Sequence, residues 1–109
     1  MDIDTATDTL SALANPHRIE IFRLLVKRGA KGLAAGKIAE AISVTPSALS
    51  FHLSHLERAG LIGARRTGRK IVYALEAERM RALLAYLSED CCGGRPELCG
   101  ILPARERCC

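Results

Sequence analysis

Two residue pairs mark where helices begin, and they limit the fold more than any other local feature of this chain. Asn15 precedes Pro16, and Thr45 precedes Pro46. Asn and Thr side chains accept hydrogen bonds from the free amides of a helix's first turn, and proline is favoured at the first helical position. We therefore predict one helix that starts at Pro16 and another that spans residues 46–59.

The spacing of apolar residues predicts the other elements. Apolar residues recur every three to four positions through most of the chain, which predicts helices, and they alternate after Gly60, which predicts a hairpin. The predicted helices span residues 5–14, 16–28, 35–42, 46–59 and 76–89, and the predicted hairpin spans 61–75. The fold is thus expected to be mainly α with one β-hairpin, in the order α-α-α-α-β-β-α. Its third and fourth helices have the outline of a helix-turn-helix.

Three of these helices have apolar stripes; the stripe of the second is expected to face the core, whereas those of the first and last are more than a single small domain could easily cover. With 109 residues the chain can bury one modest core, and an aromatic content of 4% makes that core aliphatic. The predicted stripes are Ala6, Leu10 and Leu13 in the first helix, Ile19, Phe22, Leu25 and Val26 in the second, and Met80, Leu83, Leu84 and Leu87 in the last.

The helix at residues 46–59 has two unlike faces. On a helical wheel Leu49, His52, Leu53 and Leu56 form an apolar side, opposite Ser47, Ser50, Phe51 and Ser54. Small hydroxyl side chains let a helix sit deep in the major groove and contact phosphates or base edges, and a phenyl ring can contact thymine methyl groups. This pattern, with Thr45 at the helix start, predicts a DNA-reading helix. An ordinary surface helix with one exposed aromatic residue is the alternative.

The predicted hairpin carries a cluster of positive charge at its tip. Arg65, Arg66, Arg69 and Lys70 flank Thr67 and Gly68, and the whole chain has a formal net charge of +4. Like charges so close together repel, and a polyanion would relieve that repulsion. The tip is therefore predicted to be a wing that contacts the DNA backbone or the minor groove. An ordinary solvated turn is the alternative.

All five cysteines lie after residue 90. They are Cys91, Cys92, Cys99, Cys108 and Cys109. Such a cluster, in a segment with Gly and Pro, indicates a thiolate site for a soft ion or a redox switch. Adjacent cysteines fit disulfide geometry poorly but can share one large ion, to which Cys99 could return. Three thiolates suit trivalent arsenic or antimony; zinc would recruit a fourth ligand, and cadmium or mercury is soft enough as well. A disordered tail and a structural zinc knuckle are alternatives.

Three stretches of the chain resemble the ArsR/SmtB family of metal-responsive repressors: residues 13–19, 44–62 and 71–75. The resemblance implies a homodimeric winged helix-turn-helix, joined through its first and last helices, that binds a palindromic operator. The family's founding arsenic sensors carry a Cys-x-Cys pair before the recognition helix, and its zinc sensors carry Asp and His pairs on the last helix. Residues 33–37 have no thiol here, and the last helix has no histidine. Some members place an arsenic site in the tail, built from a vicinal cysteine pair and one further cysteine.

We therefore predict an arsenite- or antimonite-responsive repressor. Residues 1–90 would form the DNA-binding and dimerisation domain, and residues 91–109 the metalloid-binding tail. As(III) or Sb(III), the inducer, would bind Cys91, Cys92 and Cys99, and the dimer would then leave its operator. Cys108 and Cys109 could form a second site, act as a delivery pair or serve in another subunit. A thiol redox or persulfide sensor, a zinc or cadmium sensor of the same fold, and a metal-sequestering protein are the alternatives.

Two classes of function are not expected. The chain has no paired acid and base, no phosphate loop and no Cys-His couple, so we do not expect an enzyme. Its acidic N-terminus does not resemble a signal peptide, and it has no apolar run of about 20 residues. We expect a cytoplasmic protein without a membrane partner.

Overall fold

The computed structural model of the protein describes residues 1–88. In chain order its elements are α1 (Ile3–Leu13), α2 (Pro16–Arg28), a 3-10 turn (Gly29–Lys31), β1 (Leu33–Ala34), α3 (Ala35–Ile42), α4 (Pro46–Arg58), β2 (Ile62–Thr67), β3 (Lys70–Leu75) and α5 (Ala77–Leu87). The prediction of a mainly helical chain with a β-hairpin is confirmed. Residues 89–109, with all five cysteines, lie outside the described residues, so the predicted domain boundary after residue 90 stays a prediction.

Side-chain caps determine where the helices begin. The Asn15 side chain accepts hydrogen bonds from the backbone amides of His17 (2.9 Å) and Arg18 (3.3 Å) at the start of α2. The Thr45 hydroxyl accepts one from the Ala48 amide (3.2 Å) at the start of α4. Both predicted starts are confirmed. The helix α1 begins two residues earlier than predicted because the Asp2 carboxylate caps it.

A third strand, which the alternation pattern did not predict, completes an antiparallel sheet of order β1-β3-β2. In β1, Leu33 lies opposite Tyr73 and Ala34 opposite Val72. Gly32 permits this close approach, because its φ is +67° and a Cβ there would lie 2.4 Å from the Tyr73 carbonyl oxygen. Two residues are too few to show the alternation by which strands are recognised, so the predicted element order is corrected by adding β1 before α3.

The core is aliphatic, as predicted, and α2 packs against α1, α3, α4 and β3. The predicted core stripe of α2 is wrong in part, because Ile19 and Val26 are about half exposed. The helix instead buries Arg18, Ile21 and Leu25, which are also spaced at helical intervals. The other fully buried large aliphatic side chains among residues 1–88 are Ile38, Leu56, Leu61 and Ile62.

The helices α1 and α5 keep apolar side chains on the surface of the single chain. Ile3 is 68% exposed and Leu10 is 44% exposed on α1, and Leu87 is 56% exposed on α5. Leu10 and Leu87 of the predicted stripes are thus left uncovered by their own chain, as expected for stripes that one small domain cannot easily cover, whereas Leu83 is buried. The helix α1 instead buries Ala6, Thr9 and Ala12. No helix within residues 1–88 has the length and apolarity needed to cross a membrane.

Candidate nucleic-acid interface

The helix α4 has one buried face and one exposed face, as the helical wheel predicts. Its buried residues are Leu49, His52, Leu53 and Leu56. Its predicted contact residues Ser47, Ser50, Phe51 and Ser54 are all exposed, as is Thr45 before it. The buried leucines fix the rotation of α4 about its own axis, and this fixed rotation keeps the three serines and the phenyl ring on the outside.

The start of α4 offers further donors to an anion. The Thr45 hydroxyl oxygen, which caps the helix, lies 3.5 Å from the Ser47 hydroxyl. The first turn contains neither Asp nor Glu. Because free amides and the helix dipole favour negative charge at a helix N-terminus, this end of α4 suits a phosphate of a DNA backbone.

Phe51 is an exposed aromatic ring that packs against two histidines of the same helix. Its side chain is 59% exposed. Its ring centroid lies 5.7 Å from that of His52 and 6.1 Å from that of His55, and both pairs meet edge to face. Contacts of this kind restrict the ring's orientation, so Phe51 presents an apolar surface in a defined position beside the serines.

The structure also reveals a buried link from α4 to the N-terminal helices. The Arg18 guanidinium donates through Nε to the Ala12 carbonyl oxygen (2.6 Å), and its Nη1 lies 3.2 Å from His52 Nδ1. Arginine has no acceptor, so His52 Nδ1 must accept, and the His52 proton therefore resides on Nε2. Sequence analysis missed Arg18. The available signal was its helical spacing from the apolar residues Ile21 and Leu25.

The environment of His52 favours its neutral form. Burial lowers the pKa of His52 below its usual value of 6.5, and the charge of Arg18 and the nearby His17 and His55 lower it further. The His17 ring centroid lies 5.6 Å from that of His52. His52 is therefore a hydrogen-bonded packing residue of the core.

His55 lies beside an open cavity of about 230 Å³, whose other lining residues are Asp8, Ser11, Arg58 and Ala59. Burial lowers the pKa of His55, and the charges of Arg18 and Arg58 add to this effect. Its Nδ1 atom is buried and makes no hydrogen bond within residues 1–88. His55 thus joins His52 as a second histidine of α4 whose neutral form is favoured by the fold.

The tip of the hairpin presents three basic side chains to solvent. Arg66, Arg69 and Lys70 are exposed on either side of the turn at Gly68, whose φ is +63°. In the part of the chain that the structure describes, none of the three makes a hydrogen bond or an ion pair. These side chains are therefore free to meet the phosphates of a nucleic acid.

Arg65, the fourth predicted contact residue of the hairpin, is placed differently. Its Nη2 atom donates to the carbonyl oxygens of Ala30 (3.2 Å) and Lys31 (3.0 Å) in the 3-10 turn after α2. The structure thus packs α4 against the first strand of the basic hairpin, but it holds one of the four hairpin cations against the protein's own backbone.

The described residues contain no alternative to the predicted thiolate site. Among residues 1–88 no three His, Cys, Asp or Glu side chains come together in a way that could hold a metal ion. The predicted ligands Cys91, Cys92 and Cys99, with Cys108 and Cys109, lie outside these residues. Their donor set consists of sulfur alone, which fits a soft ion better than a hard one.

Comparison with known proteins gives consistent likenesses. A sequence model described as a helix-turn-helix domain matches residues 13–62. The chain is 36% identical over 88 residues to the nodulation protein NolR of Rhizobium meliloti. This match covers 81% of this chain and 70% of that protein. The match includes the helix-turn-helix and extends well beyond it.

Solved structures show the same architecture. The crystal structure of NolR from Sinorhizobium fredii is 35% identical and superposes with a TM-score of 0.63, covering 79% of this chain and 83% of that one. The homodimeric winged helix-turn-helix DNA-binding domain of a possible ArsR-family transcriptional regulator from Mycobacterium bovis is 32% identical, with a TM-score of 0.63. That match covers 81% of this chain and 82% of the M. bovis chain. The hairpin β2–β3 corresponds to the wing of this architecture.

Proposed function

Since the chain belongs to the ArsR/SmtB family of transcriptional regulators, DNA-binding proteins rather than enzymes, we propose that it is a metalloid-responsive repressor. It binds operator DNA as a homodimer in the cytoplasm. It releases the operator when arsenite or antimonite binds cysteine thiolates of its C-terminal segment.

The observation that carries the DNA-binding half of this proposal is the exposed face of α4. Three hydroxyls and one supported phenyl ring face outward from a helix whose other side is fixed in the core. Ser47, Ser50 and Ser54 contact phosphates or base edges in the major groove, and Phe51 contacts thymine methyl groups. Thr45 adds a hydroxyl at the helix start.

The wing supplies affinity rather than base recognition. Arg66, Arg69 and Lys70 contact phosphates, and this makes binding strongly dependent on salt. Each phosphate contact contributes about 0.9 to the slope of log K against log salt. In this proposal α4 reads the bases, and the phosphate contacts of the wing position the protein on the duplex.

The exposed apolar side chains of α1 and α5 support a homodimer. Ile3 and Leu10 are seven positions apart and therefore lie on one face of α1. Leu87 is exposed near the end of α5, which packs against α1. A second copy of the chain covers these residues, and its two-fold symmetry matches two half-sites of a palindromic operator.

The sensing half of the proposal rests on the chemistry of the cysteines. Cys91 comes four residues after Leu87, the last residue of α5. Convergence of Cys91, Cys92 and Cys99 on one pyramidal As(III) or Sb(III) ion constrains the chain directly after this helix. Because α5 belongs to the proposed dimer interface, such a constraint changes the placement of the two α4 helices. A coupling free energy of about 1–3 kcal/mol weakens operator binding about 5- to 150-fold.

The test is an inducer titration of a protein–DNA complex. The reduced full-length protein is bound to a duplex that it has selected from a random library, and release is followed by fluorescence anisotropy. Arsenite should release wild-type protein, whereas Cys91→Ser and Cys99→Ser should stay bound. Cys108→Ser is the matched control and should be released like wild type.

Two results would contradict the sensing mechanism. One is release of Cys91→Ser at the arsenite dose that releases wild type, and the other is wild-type protein that arsenite does not release. Parallel titrations with zinc, cadmium and polysulfide separate the alternatives. Release by polysulfide but not by arsenite would identify a thiol redox sensor on the same fold.

A further inference from the structure

The strand register places Arg65 at a particular row of the sheet. Arg65 on β2 lies opposite Val72 on β3, and Val72 lies opposite Ala34 on β1. Directly paired residues share one face of a sheet, so these three side chains lie on the same side. The Arg65 side chain thus crosses β3 towards the segment before β1, where Nη2 donates to the carbonyls of Ala30 and Lys31.

The row of Arg65 and Val72 is also the last row of the hairpin at which a third strand, β1, pairs with it. The strand β1 pairs only with Tyr73 and Val72. Beyond Val72, the pairs Arg66–Ile71 and Thr67–Lys70 form a two-stranded ribbon without a third strand. Two-stranded ribbons have marginal stability by themselves, so the tip depends on how its base is held.

The acceptors of the Arg65 hydrogen bonds belong to a well-anchored segment. The Gly29 amide donates to the Leu25 carbonyl at the end of α2, and Arg28 Nε donates to the Gly32 carbonyl (3.4 Å). After the turn, β1 joins the sheet, and Gly32 packs directly under the Tyr73 carbonyl. Arg65 therefore connects the outermost supported row of the hairpin to the body of the domain.

We infer that Arg65 is a positioning residue of the wing and not one of its phosphate contacts. Its guanidinium fastens the base of the hairpin to the 3-10 turn, and this presets the angle between the wing and α4 before DNA is bound. Phosphate contact is left to Arg66, Arg69 and Lys70. This inference rests on the proposed role of the hairpin in DNA binding.

Loss of a positioning residue should therefore weaken DNA binding without changing how strongly binding depends on salt. If the wing is correctly placed only part of the time, the apparent dissociation constant rises by the inverse of that fraction. The bound complex still makes the same phosphate contacts, so the salt slope does not change. Loss of a true phosphate contact lowers both the affinity and the slope.

The experiment compares Arg65→Met with Arg69→Met in the full-length protein, each titrated onto the same selected duplex at several salt concentrations. Arg69→Met should reduce the salt slope by about 0.9. Arg65→Met should weaken binding about threefold to tenfold, the equivalent of one net hydrogen bond, at an unchanged slope. Arg65→Lys keeps a long cationic donor and should recover most of the lost affinity.

A second readout uses the free protein and needs no DNA. Heteronuclear ¹⁵N relaxation of the amides in residues 67–70 should show a more mobile tip in Arg65→Met than in wild type. Arg69→Met should leave the tip as ordered as in wild type. If Arg65 only stabilised the core, the mobility of the tip would be the same in Arg65→Met as in wild type.

The outcomes are distinct. A salt slope reduced in Arg65→Met as much as in Arg69→Met would show a phosphate contact and overturn the inference, and so would unchanged tip mobility. If Arg66→Met and Arg69→Met both leave the slope unchanged, the proposed role of the wing fails. The relaxation result then decides separately whether Arg65 holds the hairpin.

Discussion

Acid is expected to destabilise the protein through two histidines of α4. His52 Nδ1 accepts a hydrogen bond from Arg18, and a proton on that nitrogen would place a donor against a cation. His55 Nδ1 is buried without a hydrogen-bond partner among residues 1–88. The other charged or titratable groups near this pair are His17 on α2, Asp8 on α1 and Arg58 on α4 itself.

The sign and size of the effect follow from proton counting. The fold lowers the pKa of both histidines, mainly through burial, so below pH 6.5 the unfolded chain binds up to two more protons than the folded one. The stability they contribute is present above pH 6.5 and is lost as the pH falls towards their folded-state pKa values. One proton corresponds to about 1.4 kcal/mol per pH unit, and two correspond to about twice that amount.

The assay is urea unfolding of the reduced protein, at one protein concentration, between about pH 8 and about pH 5.5, where histidine is the side chain that ordinarily titrates. The free energy of unfolding should be level at the upper end and fall below pH 6.5. His52→Asn keeps an acceptor for Arg18 but cannot be protonated, so its slope should be about half that of wild type. A level curve for wild type, or an unchanged slope in His52→Asn, would refute the reasoning.

Two further predictions concern the fold and its assembly. Gly32→Ala should lower the free energy of unfolding by about 1–3 kcal/mol, because φ is +67° and the new Cβ meets the Tyr73 carbonyl. Gly36→Ala, in open space on α3, should instead raise it by about 0.5–1 kcal/mol, and urea unfolding of both variants beside wild type measures the two changes. Leu10→Glu should dissociate the proposed dimer in sedimentation experiments, whereas Val26→Glu, an exposed apolar position on α2, should not. Dimers of equal stability in the two Glu variants would place the interface elsewhere.

The candidate site was predictable where local chemistry decides. The cap and proline before α4 determine where that helix begins, and its leucines determine which side faces outward. The outward position of Ser47, Ser50, Phe51 and Ser54 follows from these two facts alone. Contact with DNA and binding of a metalloid by the cysteines stay predictions, because both depend on a partner that the local chemistry of α4 does not specify.

The sequence by itself determined the order of the helices and the hairpin, the start of α2 and α4 and the exposed face of α4. These features depend on hydrogen bonds and spacings within about four residues. Only the tertiary structure decided that Arg18 rather than Ile19 faces the core, that β1 joins the sheet, and that Arg65 turns back to the 3-10 turn. Each of these depends on partners that are distant along the chain, such as His52 for Arg18 and Ala30 for Arg65. Local periodicity carries no information about such partners, because several faces of a helix or strand satisfy it equally well.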